Sequence, residues 1–469
     1  MLFASAGFLF VFLPLFLLIY ALSPDKGKCA VILIGSIAFY VIANLNAPFS
    51  ILVLWLTVLF HFFAGMALSR WHDRILLVLF LAVDVMAFFS LRLLCNQMLP
   101  QYYFTFPVGA SLYLLMGASY LIEHYRDPSL RSDDLAQAAL YLTFFPIMLA
   151  GPLIRFRDFA GYMKNLSCQM GNVARGMRLL TVGLIKTMAV AAVLTEAYDN
   201  ILQYSDMQVN VWIGSISLVM MYLIVFFIFS GYSDMGVGIC IMLGIPLHRD
   251  YRNPLQATSP MAYLKGFFAS FYAFVEAYVM EPLARLEKLP MKLRRALGLT
   301  VYLLLLTLWF RVDARTVPIA LPLLIAILLE ELTPIGSFIR NRRLGKLIGW
   351  IFTFLLTSLF WTVQQLGSYG KLFEYIRNLL EATGSYQSLY TYATSIGFDF
   401  IIVAVIALSI LMPLSHSGNT LAAHAPAKLQ TLADAVISVI LLTLFVMTLV
   451  YFMPQFPQYA VEPYSYFVI

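Results

Sequence analysis

The sequence predicts an all-α, multi-pass transmembrane helical bundle with re-entrant or broken helices around an internal chamber. Three observations support this. Hydrophobic residues make up 61% of the 469 residues and charged residues 12%, against about 25% charge in ordinary soluble domains. The apolar residues gather into stretches of roughly 20, the length a helix needs to cross about 30 Å of hydrocarbon. Prolines and glycines interrupt two of these stretches, and non-helical backbone at membrane depth is tolerable only where protein or a water-lined cavity satisfies it.

The first stretch, Phe3 to Leu22, has neither a basic flank on its amino side nor a small-residue cleavage signal. It is therefore expected to remain as a membrane helix, with no targeting peptide. Further stretches lie at 29–45, 49–69, 75–95, 106–123, 136–154 and 179–198, then at 211–229 with an apolar continuation through 245. The remainder fall at 262–282, 297–310, 316–333, 346–366, 395–414 and 434–453. Length alone gives roughly 11 to 14 segments. The polar connections between them are short, the widest running from Arg155 to Arg178, so residues 1–469 are expected to form a single integral membrane domain. The connection at 367–394 reads as an amphipathic surface helix around Lys371–Glu381. No internal repeat is visible, which weakens a transporter reading, because many transporters carry related halves.

The net charge is +6. Its Lys and Arg sit mostly in short loops, as with Arg340, Arg342, Arg343 and Lys346, the pattern of topogenic cytoplasmic charge. Nucleic-acid binding has no support. Cys29, Cys95, Cys168 and Cys240 are far apart, without a CxxC pair or interleaved His, so neither a disulfide framework nor a thiolate metal site is indicated.

Two segments are expected to interrupt regular helix within the membrane. In the first, Phe144 to Pro152, Pro146 and Pro152 each remove a backbone donor. The second is Gly231 to Gly244, with Gly236 and Gly238 between. At its start, the stretch Phe229 to Gly238 places an acid, Asp234, and two hydroxyls, Ser230 and Ser233, with Tyr232 between them, in a hydrophobic run. Ser230, Asp234 and Gly238 share one helical face, and an ionisable group at such depth implies a partner or a cavity. Two readings of Asp234 stand: a chamber acid, or a structural carboxylate bound by freed backbone donors or by an arginine.

Arg155 and Arg157 follow Gly151-Pro152. Guanidinium groups bind phosphate or carboxylate through two parallel hydrogen bonds, which suits the phosphate of an acyl donor; positive-inside anchoring explains them equally well. Lys265, Phe268, Tyr272 and Glu276 fall at helical spacing in an aromatic-rich segment. Glu276 is a candidate base and Tyr272 its proton partner, and an acyl-chain wall or plain packing is the alternative. The histidines form no ligand cluster: His72, His124 and His248 read as solvated interfacial imidazoles, and His61 as a satisfied core residue. There is no Gly-x-Ser-x-Gly elbow or His-Glu-x-x-His, so hydrolase and metalloprotease readings have no support.

The order of Phe106-Pro107-Val108-Gly109-Ala110-Ser111-Leu112-Tyr113, Tyr125-Arg126-Asp127 and Gly151-Pro152-Leu153-Ile154-Arg155-Phe156-Arg157-Asp158 resembles the membrane-bound O-acyltransferase family. Phe229-Ser230-Gly231-Tyr232-Ser233-Asp234-Met235-Gly236-Val237-Gly238 and Tyr251-Arg252-Asn253-Pro254 are similar to its alginate O-acetylase branch. In that branch one histidine follows the Asn-Pro pair and another sits in a Leu-Trp-His-Gly block. Here Phe268 and Phe310 stand at those positions, and a phenyl ring cannot relay a proton.

The resemblance implies O-acylation, and in particular O-acetylation, of an exported bacterial surface polysaccharide at the inner membrane. It implies an acyl thioester donor, acetyl-CoA or an acyl carrier protein, with no bound cofactor and no metal. Expected partners are an extracytoplasmic acetyltransferase or polysaccharide synthase and export subunits, together with membrane lipid. Arg155 and Arg157 would orient the donor, while Ser230, Tyr232, Ser233, Asp234 and Asn253 would shape the chamber. Asp234, Tyr272 and Glu276 are weak substitutes for the missing base, so the catalytic residue stays unassigned. The rival expectation is a non-catalytic subunit of a polysaccharide synthesis or export complex that binds lipid, donor or a partner in the inherited chamber.

Overall fold

The computed structural model describes residues 3–366 except 46, 96–106, 131–133, 200–210, 252–253 and 311–315, together with scattered positions between 370 and 450. Among the described residues all regular structure is helical. A π-helical turn over Gly7–Phe12 leads into α1 (Leu13–Leu22), followed by α2 (Lys28–Ala43), α3 (Pro48–Trp71), α4 (Arg74–Leu93) and α5 (Ala110–Arg126). Two short helices, α6 (Leu135–Leu142) and α7 (Phe156–Met163), precede the long α8 (Met170–Leu184), which continues as a π-helical stretch over Ile185–Ala191, and α9 (Val211–Met242). Then come α10 (Pro260–Phe267), α11 (Ala269–Val275), a π-helical turn Glu276–Met280 and α12 (Glu281–Ala284). The last described helices are α13 (Met291–Phe310), α14 (Thr316–Leu332), α15 (Ile335–Asn341) and α16 (Arg343–Leu366).

Local chemistry sets many of these boundaries. Asp73, Asp134 and Ser259 each accept a hydrogen bond from a first-turn amide of α4, α6 and α10, which satisfies donors that a helix start leaves orphaned. Pro48 and Pro260 sit in the first turn of α3 and α10, where a missing N–H costs nothing.

Six helices among the described residues are long and apolar enough to cross a membrane. This is fewer than the apolar stretches in the sequence. The stretch at 136–154 folds as a short helix and a break, and those at 395–414 and 434–453 lie outside the described residues, as does most of the Lys371–Glu381 segment.

At the centre, α8 packs along α9, and both are largely buried. Here one expectation is corrected. The Gly231–Gly244 segment does not interrupt the membrane helix: α9 runs unbroken to Met242, and the chain turns out only at Gly244, at φ +84°. The glycines serve close approach instead. A Cβ on Gly238 would come within 2.6 Å of the Gly176 carbonyl, and one on Gly183 within 2.5 Å of the Gly231 carbonyl, so the two backbones lie nearly in contact, as small residues allow between membrane helices.

The Phe144–Pro152 segment does break the helix, as expected. After α6 the chain makes a single 3₁₀ turn, Phe145–Ile147, and then runs in irregular backbone to Arg155. Protein groups satisfy its polar atoms. Ser36 Oγ accepts from Phe145 N at 3.3 Å, Ser270 Oγ accepts from Leu153 N at 2.8 Å, and Tyr141 donates to the Ile154 carbonyl at 2.7 Å. Phe145 is anchored among Phe16 and Phe39, with ring centroids 5.2 and 5.3 Å away.

Candidate functional site

The break opens a cavity of about 500 Å³. One wall is the irregular backbone from Pro152 to Arg155; a second is the segment after α9, with His248, Arg249 and Asp250; a third is formed by Ser270, Glu276 and Glu281 of the 269–281 helical run. Asp250 ties two of these walls together. Its carboxylate accepts from Ser270 N at 2.6 Å and from Ser270 Oγ at 2.8 Å, and its carbonyl accepts from Ala269 N at 3.1 Å.

These bonds hold a second break. The aromatic segment is not one continuous stripe: Phe268, at φ −147° and ψ +73°, separates α10 from α11. The correction has a physical cause, because amides of Ala269 and Ser270 turn to Asp250 instead of continuing the helix ladder. Phe268 is buried just behind the cavity wall, stacked against Tyr251 and Phe271 with centroids 6.0 and 5.4 Å away. A Cβ on Gly151 would lie 3.4 Å from its ring and 3.5 Å from Asp250 Oδ2. Thus the first of the two positions implied by resemblance adjoins the cavity, and it carries hydrocarbon. Phe310 closes α13, and its side chain lies outside the described residues, as does Asn253.

The two arginines separate. Arg155 lines the cavity and pairs with Asp158 through Nε at 2.9 Å. Arg157 is not on the cavity wall; its guanidinium reaches Glu123 at 3.3 Å and Asp127 at 3.1 Å. Asp127 is held below the ordinary carboxylate range by the Ser129 hydroxyl and amide, at 2.7 and 2.9 Å, with Arg157 adding to the effect. Glu123, buried, also accepts from Tyr278 at 2.9 Å, and Tyr278 meets Ser119 at 2.7 Å. Arg157 is therefore embedded in a network that fixes the start of α7.

Asp234 has a partner that spacing along α9 did not reveal. Lys186, on the π-helical extension of α8, lies 2.6 Å from Asp234 Oδ2, and Arg249 Nε lies 3.6 Å from Oδ1. Both members of the closer pair are buried, and Arg249 links them to the cavity wall with a positive charge of its own. Ser230, Tyr232 and Ser233 are buried on α9 away from the cavity lining. Glu276 lines the cavity; Tyr272 does not, lying half-buried 5.5 Å from Tyr302 with the Lys265 ammonium 5.4 Å from its ring centre.

Sequence reasoning missed Lys186, although it is a lone cation in the apolar run 179–198 and the same rule that singled out Asp234 applies to it. It also missed Arg249 and Asp250, which sit in an ordinary-looking connection, and Ser270, which lies within the aromatic-rich segment. His61 is a satisfied core residue, with Nδ1 at 2.8 Å from the Thr57 carbonyl and Nε2 at 3.1 Å from Asp84. His124 is not solvated: it is fully buried, with Nδ1 2.9 Å from the Tyr120 carbonyl and its ring packed on Tyr120 and Phe156. Its position one turn from the helix end suggested water, but α7 folds back over it. Among the described residues no group of His, Cys, Asp and Glu could hold a metal ion.

A helical, multi-pass membrane protein whose interrupted segments enclose a charged cavity is the class that this fold and site define. The sequence profile of the membrane-bound O-acyltransferase family (MBOAT) matches residues 8–309, and the chain belongs to that family. It is similar to a probable alginate O-acetylase of Pseudomonas fluorescens, 26% identical over 380 residues that cover 77% of this chain and 72% of the relative. A probable alginate O-acetylase of Azotobacter vinelandii is 27% identical over 304 residues, 60% of this chain and 59% of the relative. The peptidoglycan O-acetyltransferase of Helicobacter pylori is 23% identical over 339 residues, 60% of this chain and 62% of the relative. The chain thus spans less than two thirds of the length of the last two relatives.

Proposed function

We propose that this chain serves the O-acetylation of an exported cell-surface polysaccharide in the bacterial inner membrane. The cavity at the 143–155 break carries the reading: it lies within the part of the chain that the family profile matches and presents cations and carboxylates inside an otherwise apolar protein. The names of the relatives, alginate O-acetylases and a peptidoglycan O-acetyltransferase, support the acetyl group and the glycan acceptor.

The donor in this reading is an acyl thioester, acetyl-CoA or an acylated carrier protein. Arg155 and Arg249 on the cavity wall would take its phosphates, since a guanidinium matches phosphate oxygens in a bidentate manner. Asp234, itself paired with Lys186, holds Arg249 in place from behind. Ser230, Tyr232 and Ser233 then support the central helix, without touching donor. Partners would be an extracytoplasmic acetyltransferase or the synthase and export subunits that present the polymer.

The test uses the full chain in lipid nanodiscs with radiolabelled acetyl-CoA and alginate oligosaccharides. Label appearing in the glycan with release of free thiol supports the reading; labelled phospholipid instead of glycan contradicts it.

One observation favours a second reading. Phe268 is packed tightly beside the cavity where the family places an imidazole, as suits a non-catalytic subunit that retains a donor or lipid pocket. Saturable acetyl-CoA binding with no thiol release, in the presence of the glycan and the co-expressed partner subunits, would select it.

A further inference from the structure

We infer that His248 is the base of the acyl transfer, replacing from another wall of the same cavity the imidazole that Phe268 lacks. The assignment rests on the acetyl-transfer reading above. Of the described histidines, His248 is the one on the wall of this cavity. His61 has both ring nitrogens engaged, and His124 is buried among aromatic rings. His72 stacks on Tyr125 at the end of α3. His248 is exposed to the cavity and makes no hydrogen bond or ion pair with a described residue, which leaves its ring free to take a proton.

Its backbone is fixed at both ends. On one side Tyr20 donates to the Leu243 carbonyl at 2.7 Å, and Gly244 packs so closely on Ser167 that a Cβ would lie 2.5 Å from the Ser167 carbonyl. On the other side Asp250 is bonded to Ser270. The strap between them is therefore a held support for an imidazole, and a base contributes only when it is positioned against the reacting atom.

The placement also suits two substrates. A second cavity of about 200 Å³, lined by Asn172, Arg175 and Gly244, shares Pro246, Leu247 and His248 with the larger one. A donor with its phosphates at Arg155 and Arg249 would bring its thioester to His248 in the larger cavity, and an acceptor hydroxyl entering by way of the smaller one would meet it there. In the reaction the acceptor O–H gives its proton to an imidazole nitrogen as its oxygen bonds to the acyl carbon. The C–S bond then breaks and the imidazolium returns the proton to the leaving sulfur, giving an ester and a free thiol with no further reactant. One imidazole can thus act as base and then as acid.

The experiment measures thiol release from acetyl-CoA with alginate oligosaccharide, using the full chain in nanodiscs. His248→Gln is expected to lower turnover by about 10²–10⁴-fold, and His248→Ala should regain at least about tenfold of its lost rate on addition of free imidazole, while His72→Gln stays at the wild-type rate. A second measurement is independent of the variants' folding: acetyl-CoA should protect His248 of the wild-type protein, and not His72, from diethyl pyrocarbonate, read by peptide mass spectrometry. An active wild type with His248→Gln within about threefold of it, or loss confined to Glu276→Gln, overturns the assignment and leaves the acetyl-transfer reading standing. A wild type that releases no thiol overturns both.

Discussion

Lys186 and Asp234 meet 2.6 Å apart within the α8–α9 interface, and Arg249 joins them to the cavity wall. Both side chains are buried, so removing Asp234 strands the Lys186 ammonium at a cost of about 3–5 kcal/mol and removing Lys186 leaves Asp234 only its longer contact to Arg249, whereas replacing both with apolar groups is often close to neutral. Asp234→Asn and Lys186→Met are each expected to lower the thermal midpoint in detergent, measured by fluorescence-detected size exclusion. The double variant Lys186→Met/Asp234→Leu should recover much of that loss. Equal midpoints for single variants and wild type would show that the pair is not structural.

Gly236 sets the distance between α9 and the break, because a Cβ there would run into the Pro146 carbonyl. Overpacking at a site that cannot yield costs about 1–3 kcal/mol. Gly236→Val is expected to cut the yield of monodisperse protein and to narrow the cavity, whereas Gly161→Ala, where a Cβ meets nothing within 4 Å, should match wild type in the same assay.

Arg155 and Arg157 should differ in kind. The Arg155–Asp158 pair is partly solvated, and such pairs contribute about 0–1 kcal/mol, so Arg155→Ala should keep its fold. Its loss should appear as a rise of about tenfold in the half-saturating acetyl-CoA concentration, the effect of removing one charge-assisted contact of roughly 1.4 kcal/mol. Arg157→Ala leaves the buried Glu123 without its cation and should lower thermal stability first. The reverse pattern, Arg155 governing stability and Arg157 governing donor saturation, would refute this division.

α4 lies on the outside of the bundle, only 6% of it buried, yet it carries Asp84 inward to His61 at 3.1 Å. The imidazole fits there because Gly117 has no side chain; a Cβ at 117 would collide with the ring. Asp84→Leu is expected to loosen α4 from α3 and α5, seen as faster hydrogen exchange across 74–93 with α8 and α9 unchanged. Uniform exchange across all these helices would show that the contact does not hold α4.

The predicted bundle and the break at Pro146 were both legible in the residues, since hydrocarbon thickness and a missing amide act on a local stretch of chain. The glycines of α9 were misread for an instructive reason. A glycine in an apolar run is compatible with a break and with close helix contact, and only the neighbour distinguishes them. Here the neighbours are Gly176 and Gly183, more than 45 residues back in the chain on α8.

The sequence alone determined that this is a helical membrane protein with an interrupted segment and an intramembrane acid, because each of those properties follows from a few consecutive residues and the solvent around them. Tertiary structure alone decided that Asp234 faces Lys186, that Arg155 and not Arg157 reaches the cavity, and that His248 shares it with Glu276. Helical spacing tells which residues share a face. It does not tell what lies opposite, and in this protein Asp234 meets Lys186 and Glu123 meets Arg157 on other helices.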